Sequence, residues 1–170
     1  MIRVREARIS DAAAMAEVNA AGWRVGYRGL VPREYLEHLP VAQWRREMTA
    51  GLRDPRGDSF TRIAELDGEF AGYCFVAAPG REQPDDSRRA ELVALYVVPE
   101  RWGGGAGGAL VDAALAEAAA RGYEAIEVWT FEANERALRL YERHGFGEDG
   151  GRRPFAKTGT PTLRLLRSLP

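Results

Sequence analysis

The chain has 170 residues, 45% of them hydrophobic and 29% charged, which suits one soluble domain around a single core and calls for no second one. Its 24 basic residues are interspersed among 25 acidic ones, so no basic field exists to hold a polyanion, which excludes nucleic acid as the main partner. A lone cysteine, Cys74, and two histidines, His38 and His144, make neither an internal disulfide nor a metal-ligand spacing. No run is long enough to span a membrane, and the opening Met1-Ile2-Arg3-Val4-Arg5-Glu6 lacks a signal-peptide core, so a cytoplasmic protein is expected.

Ile2 to Arg8 alternates as a loose strand and stops at Ser10-Asp11, side chains suited to cap a helix from about Ala12 to Trp23. Gly22 to Gly57 mixes aromatic residues with Gly29, Pro32 and Pro40, which predicts one or two short helices broken by turns. Phe60–Leu66 and Phe70–Ala77 flank Asp67-Gly68, whose tolerance of positive φ predicts a two-residue hairpin. Pro79 to Arg88 reads as a solvated loop before a strand from Ala90 to Val98.

Alanine-rich Gly105–Arg121 reads as a helix stopped by Gly122, followed by a buried strand, Ala125–Phe131. Asn134–His144 is a second helix, with Glu135 and Arg139 paired at i,i+4 and Gly145 as its stop. The remainder reads as a loose final hairpin containing Thr162–Leu166. The order of elements implies a single α/β domain, residues 1–170, with a mixed sheet.

Between the strand ending at Val98 and the next helix the chain runs Pro99-Glu100-Arg101-Trp102-Gly103-Gly104-Gly105-Ala106-Gly107-Gly108. Glycines let main-chain N–H groups crowd a ligand, and the helix start adds a partial positive charge; together they form an anion cradle suited to a pyrophosphate. A purely structural turn does not account for five glycines. A dinucleotide-binding turn is a second reading, because Gly103, Gly105 and Gly108 fit G-x-G-x-x-G and Glu127 stands about 20 residues further on; flanking hairpins argue against that doubly wound fold.

The segment from Pro99 to Gly107 followed by an Ala/Leu helix resembles the acetyl-CoA pyrophosphate loop of the GNAT superfamily of N-acetyltransferases. Asn134-Glu135-Arg136-Ala137-Leu138-Arg139-Leu140-Tyr141-Glu142-Arg143-His144-Gly145-Phe146 resembles the family's second signature, and Ile2–Ala7 with Asp11 is similar to the opening of many bacterial members. The resemblance implies a mixed, mostly antiparallel central sheet flanked by helices. It also implies acetyl-CoA as co-substrate and direct transfer of an acetyl group, in a ternary complex, to a small-molecule primary amine such as a polyamine, amino acid or antibiotic, with a protein terminus as the secondary choice of acceptor, by a monomer or homodimer. An acyl-CoA sensor without turnover and a dinucleotide-dependent oxidoreductase are the alternatives.

Carried onto these positions, the resemblance makes Glu91 the general base and Tyr141 the acid that protonates the leaving thiolate. Main-chain N–H groups of Leu95 and Val97 then hold the thioester carbonyl and pantetheine arm. Trp102, Gly103, Gly104, Gly105, Ala106 and Gly107 form the pyrophosphate loop, and Asn134 touches the cofactor arm, caps its helix, or does both. The family's Q/R-x-x-G-x-G/A loop fits in two registers, Trp102, Gly105 and Gly107 or Arg101, Gly104 and Ala106; in the first, which aligns Gly107 and Leu110 with the family's helix start, Trp102 replaces the usual polar side chain and leaves the phosphates to main-chain amides, with Arg101 as a peripheral charge. His144 is expected to bond the last carbonyls of its helix, and Cys74 to be a small buried hydrophobe. By the same resemblance Trp23, Tyr27, Tyr35 and Phe155 are the candidates to line an acceptor pocket, although most of them are expected to be core residues.

Overall fold

A computed structural model describes residues 1–79 and 88–170. The loop expected across Pro79 to Arg88 therefore lies, apart from its two ends, outside the described residues. The strands are β1 (Ile2–Glu6), β2 (Phe60–Leu66), β3 (Glu69–Ala77), β4 (Arg89–Val97), β5 (Ala125–Phe131), β6 (Gly147–Pro154) and β7 (Pro161–Ser168), in one sheet ordered β1-β2-β3-β4-β5-β7-β6. The helices are α1 (Ala12–Gly26), α2 (Arg33–Glu37), α3 (Val41–Arg53), α4 (Ala106–Ala120) and α5 (Glu135–Arg143). Only β4 and β5 pair in parallel, so the sheet is mixed and mostly antiparallel.

Local chemistry sets most boundaries. Asp67 and Gly68 take φ of 53° and 86°, the positive pair that a two-residue hairpin turn demands, and Gly122 and Gly145 stop α4 and α5 with φ of 85° and 77°. At the start of α1 the expected cap is replaced by another arrangement. The Asp11 carboxylate accepts both Arg5 guanidinium nitrogens at 2.8 and 2.9 Å and the Arg8 amide at 2.7 Å, while a 3₁₀ turn, Ile9–Asp11, leads into the helix. A bidentate charged pair outweighs one capping bond. The Arg5 hydrogen bonds hold the Asp11 carboxyl below the usual carboxylate range.

The helices cover both faces of the sheet. Against one face α4 packs Leu110, Val111, Ala114 and Ala118, with Tyr141 of α5, onto Cys74, Val76, Ile126 and Val128. On the other, α1 packs Met15 and Val18 onto Ile63 and Tyr73. Cys74 is fully buried, as expected, and burial pushes its thiol pKa up to about 12. No helix among the described residues is long and apolar enough to cross a membrane.

The aromatic residues of the first third pack mostly as core, in line with the reading of their sequence. Trp23 is only 8% exposed and sits among Tyr27, Tyr35, Trp44, Phe131 and Phe155, with ring centroids 4.7 to 6.4 Å away. These rings pack on one another as a second core under α1, α2 and α3; of the four aromatic candidates, Tyr27 lines the cavity described below and Trp23, Tyr35 and Phe155 do not. Mutual edge-to-face packing stabilises such a cluster more than leaving the rings around an empty site.

Candidate active site

The site begins with a failure of strand pairing. β4 and β5 pair over only three residues, from Arg89↔Ala125 to Glu91↔Glu127, and then part. Just beyond the last pair the register of β3 and β4 skips Val93, and such a bulge bends and twists its strand. The resulting fork opens a cavity of about 480 Å³ lined by Leu95, Val97, Trp129, Asn134 and Tyr141, with the glycine turn at one end.

Main-chain donors face this gap. The Val98 N–H donates to Ala71 O on β3 at 2.8 Å, and strand polar groups alternate sides, so those of Val97 and Leu95 point away from β3 into the fork. The Val97 carbonyl accepts from Trp102 Nε1 at 2.8 Å, which ties the glycine turn to the strand. The Val97 and Leu95 N–H groups are donors already oriented.

In the turn, Gly103 and Gly105 take φ of 82° and 91°. Gly105 occupies the cap position of α4 and brings no side chain to it, and the first amide to bond within the helix is that of Ala109, to Gly105 O at 3.0 Å. The amides of Ala106, Gly107 and Gly108 are thus the unsatisfied donors of a first turn, at the positive end of a 15-residue helix. A Cβ on Gly105 would lie 3.0 Å from Ile2 Cδ1 on a left-handed backbone. Gly105→Ala is expected to lose about 1–2 kcal/mol of stability by urea denaturation.

Of the turn residues singled out from sequence, Trp102, Gly103, Gly105 and Gly107 line the cavity and Gly104 and Ala106 do not; Ala106 is buried against the core. Arg101 lines the cavity at the turn, with its guanidinium held by Glu69 and by Leu66 O, at 3.2 Å. Arg136 brings a further cation to the cavity, stacked 3.3 Å from the Trp102 ring centroid. Partial burial lowers its pKa. Arg136 lies within the Asn134–Phe146 signature but nothing in the sequence singles it out, because only the fold brings it beside Trp102.

Asn134 both caps α5, its Oδ1 accepting from Ala137 N at 3.2 Å, and lines the cavity two turns before Tyr141. Tyr141 is 6% exposed, its ring 5.5 Å from that of Phe146, and burial pushes its phenol well above the ordinary range. His144 donates Nδ1–H to Leu140 O at 2.8 Å, as expected of a helix-terminal histidine, while its ring also borders the cavity.

Glu91 stands outside the cavity wall, at the closed vertex of the fork beside its register partner Glu127. Glu127 is fully buried and held by Arg89 Nη1 at 3.1 Å and Arg164 Nη1 at 3.8 Å. Burial, and then the Glu127 charge, raise the Glu91 pKa, and Arg153 pulls it partly back. Glu127 is thereby a buried anion between arginines, not a ribose-binding acid, and the mostly antiparallel sheet removes the doubly wound reading. Among the described residues no group of three or more His, Cys, Asp or Glu could hold a metal ion.

Residues 23–146 match the model of the Acetyltransferase (GNAT) family. Of curated proteins, the uncharacterised N-acetyltransferase YuaI of Bacillus subtilis is 26% identical over 99% of this chain and 98% of its own length. The uncharacterised N-acetyltransferase YhfO of the same organism is 31% identical over 88% of this chain and 93% of its own. Among solved structures, the PaiA N-acetyltransferase of Thermoplasma acidophilum in complex with coenzyme A superposes with TM-score 0.78 at 19% identity, over 99% of each chain. A GCN5-related N-acetyltransferase from Kribbella flavida superposes with TM-score 0.77 at 22% identity, over 99% of this chain and 98% of its own.

Proposed function

Because the chain belongs to the acetyltransferase (GNAT) family, we propose that it is an N-acetyltransferase that moves an acetyl group from acetyl-CoA directly to a primary amine of a small molecule. The observation that carries this reading is the forked cavity, with unpaired strand amides at its neck and an uncapped glycine turn at its end.

The diphosphate lies against the amides of the turn and the first residues of α4, with Arg136 supplying the charge that Trp102 does not. The pantetheine arm follows β4 past Asn134, taking the place of the missing strand. The thioester then reaches the fork, where its carbonyl oxygen accepts from the Leu95 or Val97 amide. Donors fixed in a strand need no reorientation as the oxygen gains charge, which is what favours the tetrahedral intermediate.

The acceptor must arrive or become neutral, since a free primary amine has a pKa of about 10.4. Glu91 takes its proton through water, because the carboxylate stands back from the cavity wall. Nitrogen attacks the carbonyl carbon, the C–S bond breaks, and the thiolate takes the phenolic proton of Tyr141, which solvent later restores. The products are an amide and free CoA.

Thiol release measured with acetyl-CoA and a panel of amines tests this. Release that depends on a particular amine is the expected result. Calorimetric binding of acetyl-CoA with no amine-dependent release would instead make the chain an acyl-CoA sensor, and no binding at all would overturn both readings.

A further inference from the structure

Among the described residues, the face of the sheet that carries Glu91 holds an arginine, Arg153, that enters no ion pair. The pairs Phe131↔Thr162 and Thr162↔Arg153 set Arg153 on the same face as Trp129 and Glu127. Its guanidinium lies 4.0 Å from the centroid of the Trp129 ring, and Trp129 is part of the cavity wall. Its neighbours on β6 and β7 are committed: Arg152 to Glu132 and Glu148, and Arg164 to Glu127 and Asp149. Arg153 makes no ion pair with any of the described residues, although Glu91 is near enough to feel its charge.

An arginine held flat on an indole keeps its N–H edge free and oriented, the arrangement suited to bidentate recognition of a carboxylate. Trp129 and Val93, which is 49% exposed and also lines the cavity, offer apolar surface beside it. A cation at this position repels polyamines and admits amines that carry their own anion. Resting on the transferase reading above, we infer that the acceptor is a carboxylate-bearing primary amine of the α-amino acid type. Its carboxylate pairs with Arg153, its aliphatic body lies on Trp129 and Val93, and its nitrogen faces the thioester on the side of Glu91.

The test compares α-amino acids with their amides, leucine and leucinamide among them, and with putrescine, in the wild type and in Arg153→Met and Arg153→Lys. Methionine keeps an apolar stem over Trp129 without the charge. The expected result is a preference for the acids. Arg153→Met is expected to lower kcat/KM for them about 30-fold, in the range of one charge-assisted contact, with Arg153→Lys recovering part of it. Rates with the amides, compared on the plateau of the pH–rate profile because loss of the Arg153 charge raises the Glu91 pKa, should stay within about twofold of wild type, as should acetyl-CoA affinity by calorimetry, since neither uses that contact. Calorimetry on the CoA complex gives a second readout, in which the acid binds wild type and not Arg153→Met. Transfer that favours amides or putrescine, or an equal loss on acids and amides, would overturn the acceptor assignment and leave the transferase standing. Acetyl-CoA binding without transfer to any amine would overturn both.

Discussion

Tyr141→Phe is expected to slow acetyl transfer by about 100-fold, the lower end of what a positioned acid contributes, with acetyl-CoA affinity nearly unchanged. Phenylalanine retains the ring packed on Phe146, so only the hydroxyl is lost. Burial keeps the phenol protonated at any working pH. It also opposes charge on the departing sulfur in the same cavity, so the proton passes between two groups whose affinities are shifted the same way. Single-turnover measurement isolates the step. A rate equal to wild type would remove Tyr141 from the chemistry, and a matching loss of acetyl-CoA affinity would make it a binding residue.

Glu127→Gln is expected to have the largest effect on stability and a second, separable effect on rate. The carboxylate is fully buried between Arg89 and Arg164 and accepts from Trp129 Nε1 at 3.3 Å. Glutamine keeps the shape and removes the charge both arginines face, at a cost of about 3 kcal/mol, a fall in Tm of roughly 6–12 °C for a domain of this size. The rate effect works through Glu91. A raised carboxyl pKa means Glu91 becomes a base only as pH climbs through a value above the ordinary one, so activity falls as pH drops through it.

Removing the Glu127 charge takes away one of the two causes of that elevation and leaves the two arginines less compensated. The acid limb of the pH–rate profile should move to lower pH, and Glu91→Gln should abolish it. A profile that keeps its limb in Glu91→Gln would assign the base elsewhere. An unchanged melt in Glu127→Gln would mean that the arginines find other partners.

Much of the chain was legible because its signals are local. The Asp67-Gly68 turn, the Gly122 and Gly145 stops, the alanine-rich α4 and the buried β5 follow from φ preferences and propensities that each segment carries by itself. The glycine turn and the Asn134-to-Tyr141 helix were legible as a pair of motifs, and the structure brings both to one cavity. Asp11 takes the cap position of α1, but its carboxylate goes to Arg5 in the preceding strand and makes no cap bond to the helix, a partnership no local signal carries. Which of Trp23, Tyr27, Tyr35 and Phe155 reaches the cavity was not legible, because an aromatic residue looks the same in a sequence whether it faces a ligand or another ring; Tyr27 alone does.

The sequence by itself determined the hairpin turn at Asp67-Gly68, the glycine stops of α4 and α5, and which segment presents bare amides to an anion, since backbone conformation and hydrogen-bonding capacity belong to individual residues; it left the bounds of α2 and α3 open. Only the tertiary structure decided that β7 inserts between β5 and β6, that β4 and β5 part beyond Glu91 and Glu127, that Arg136 stands over the cavity on Trp102, and that Arg153 stacks on Trp129. Those outcomes depend on which distant strands exclude water together and on which charges are left without a counter-ion when they do.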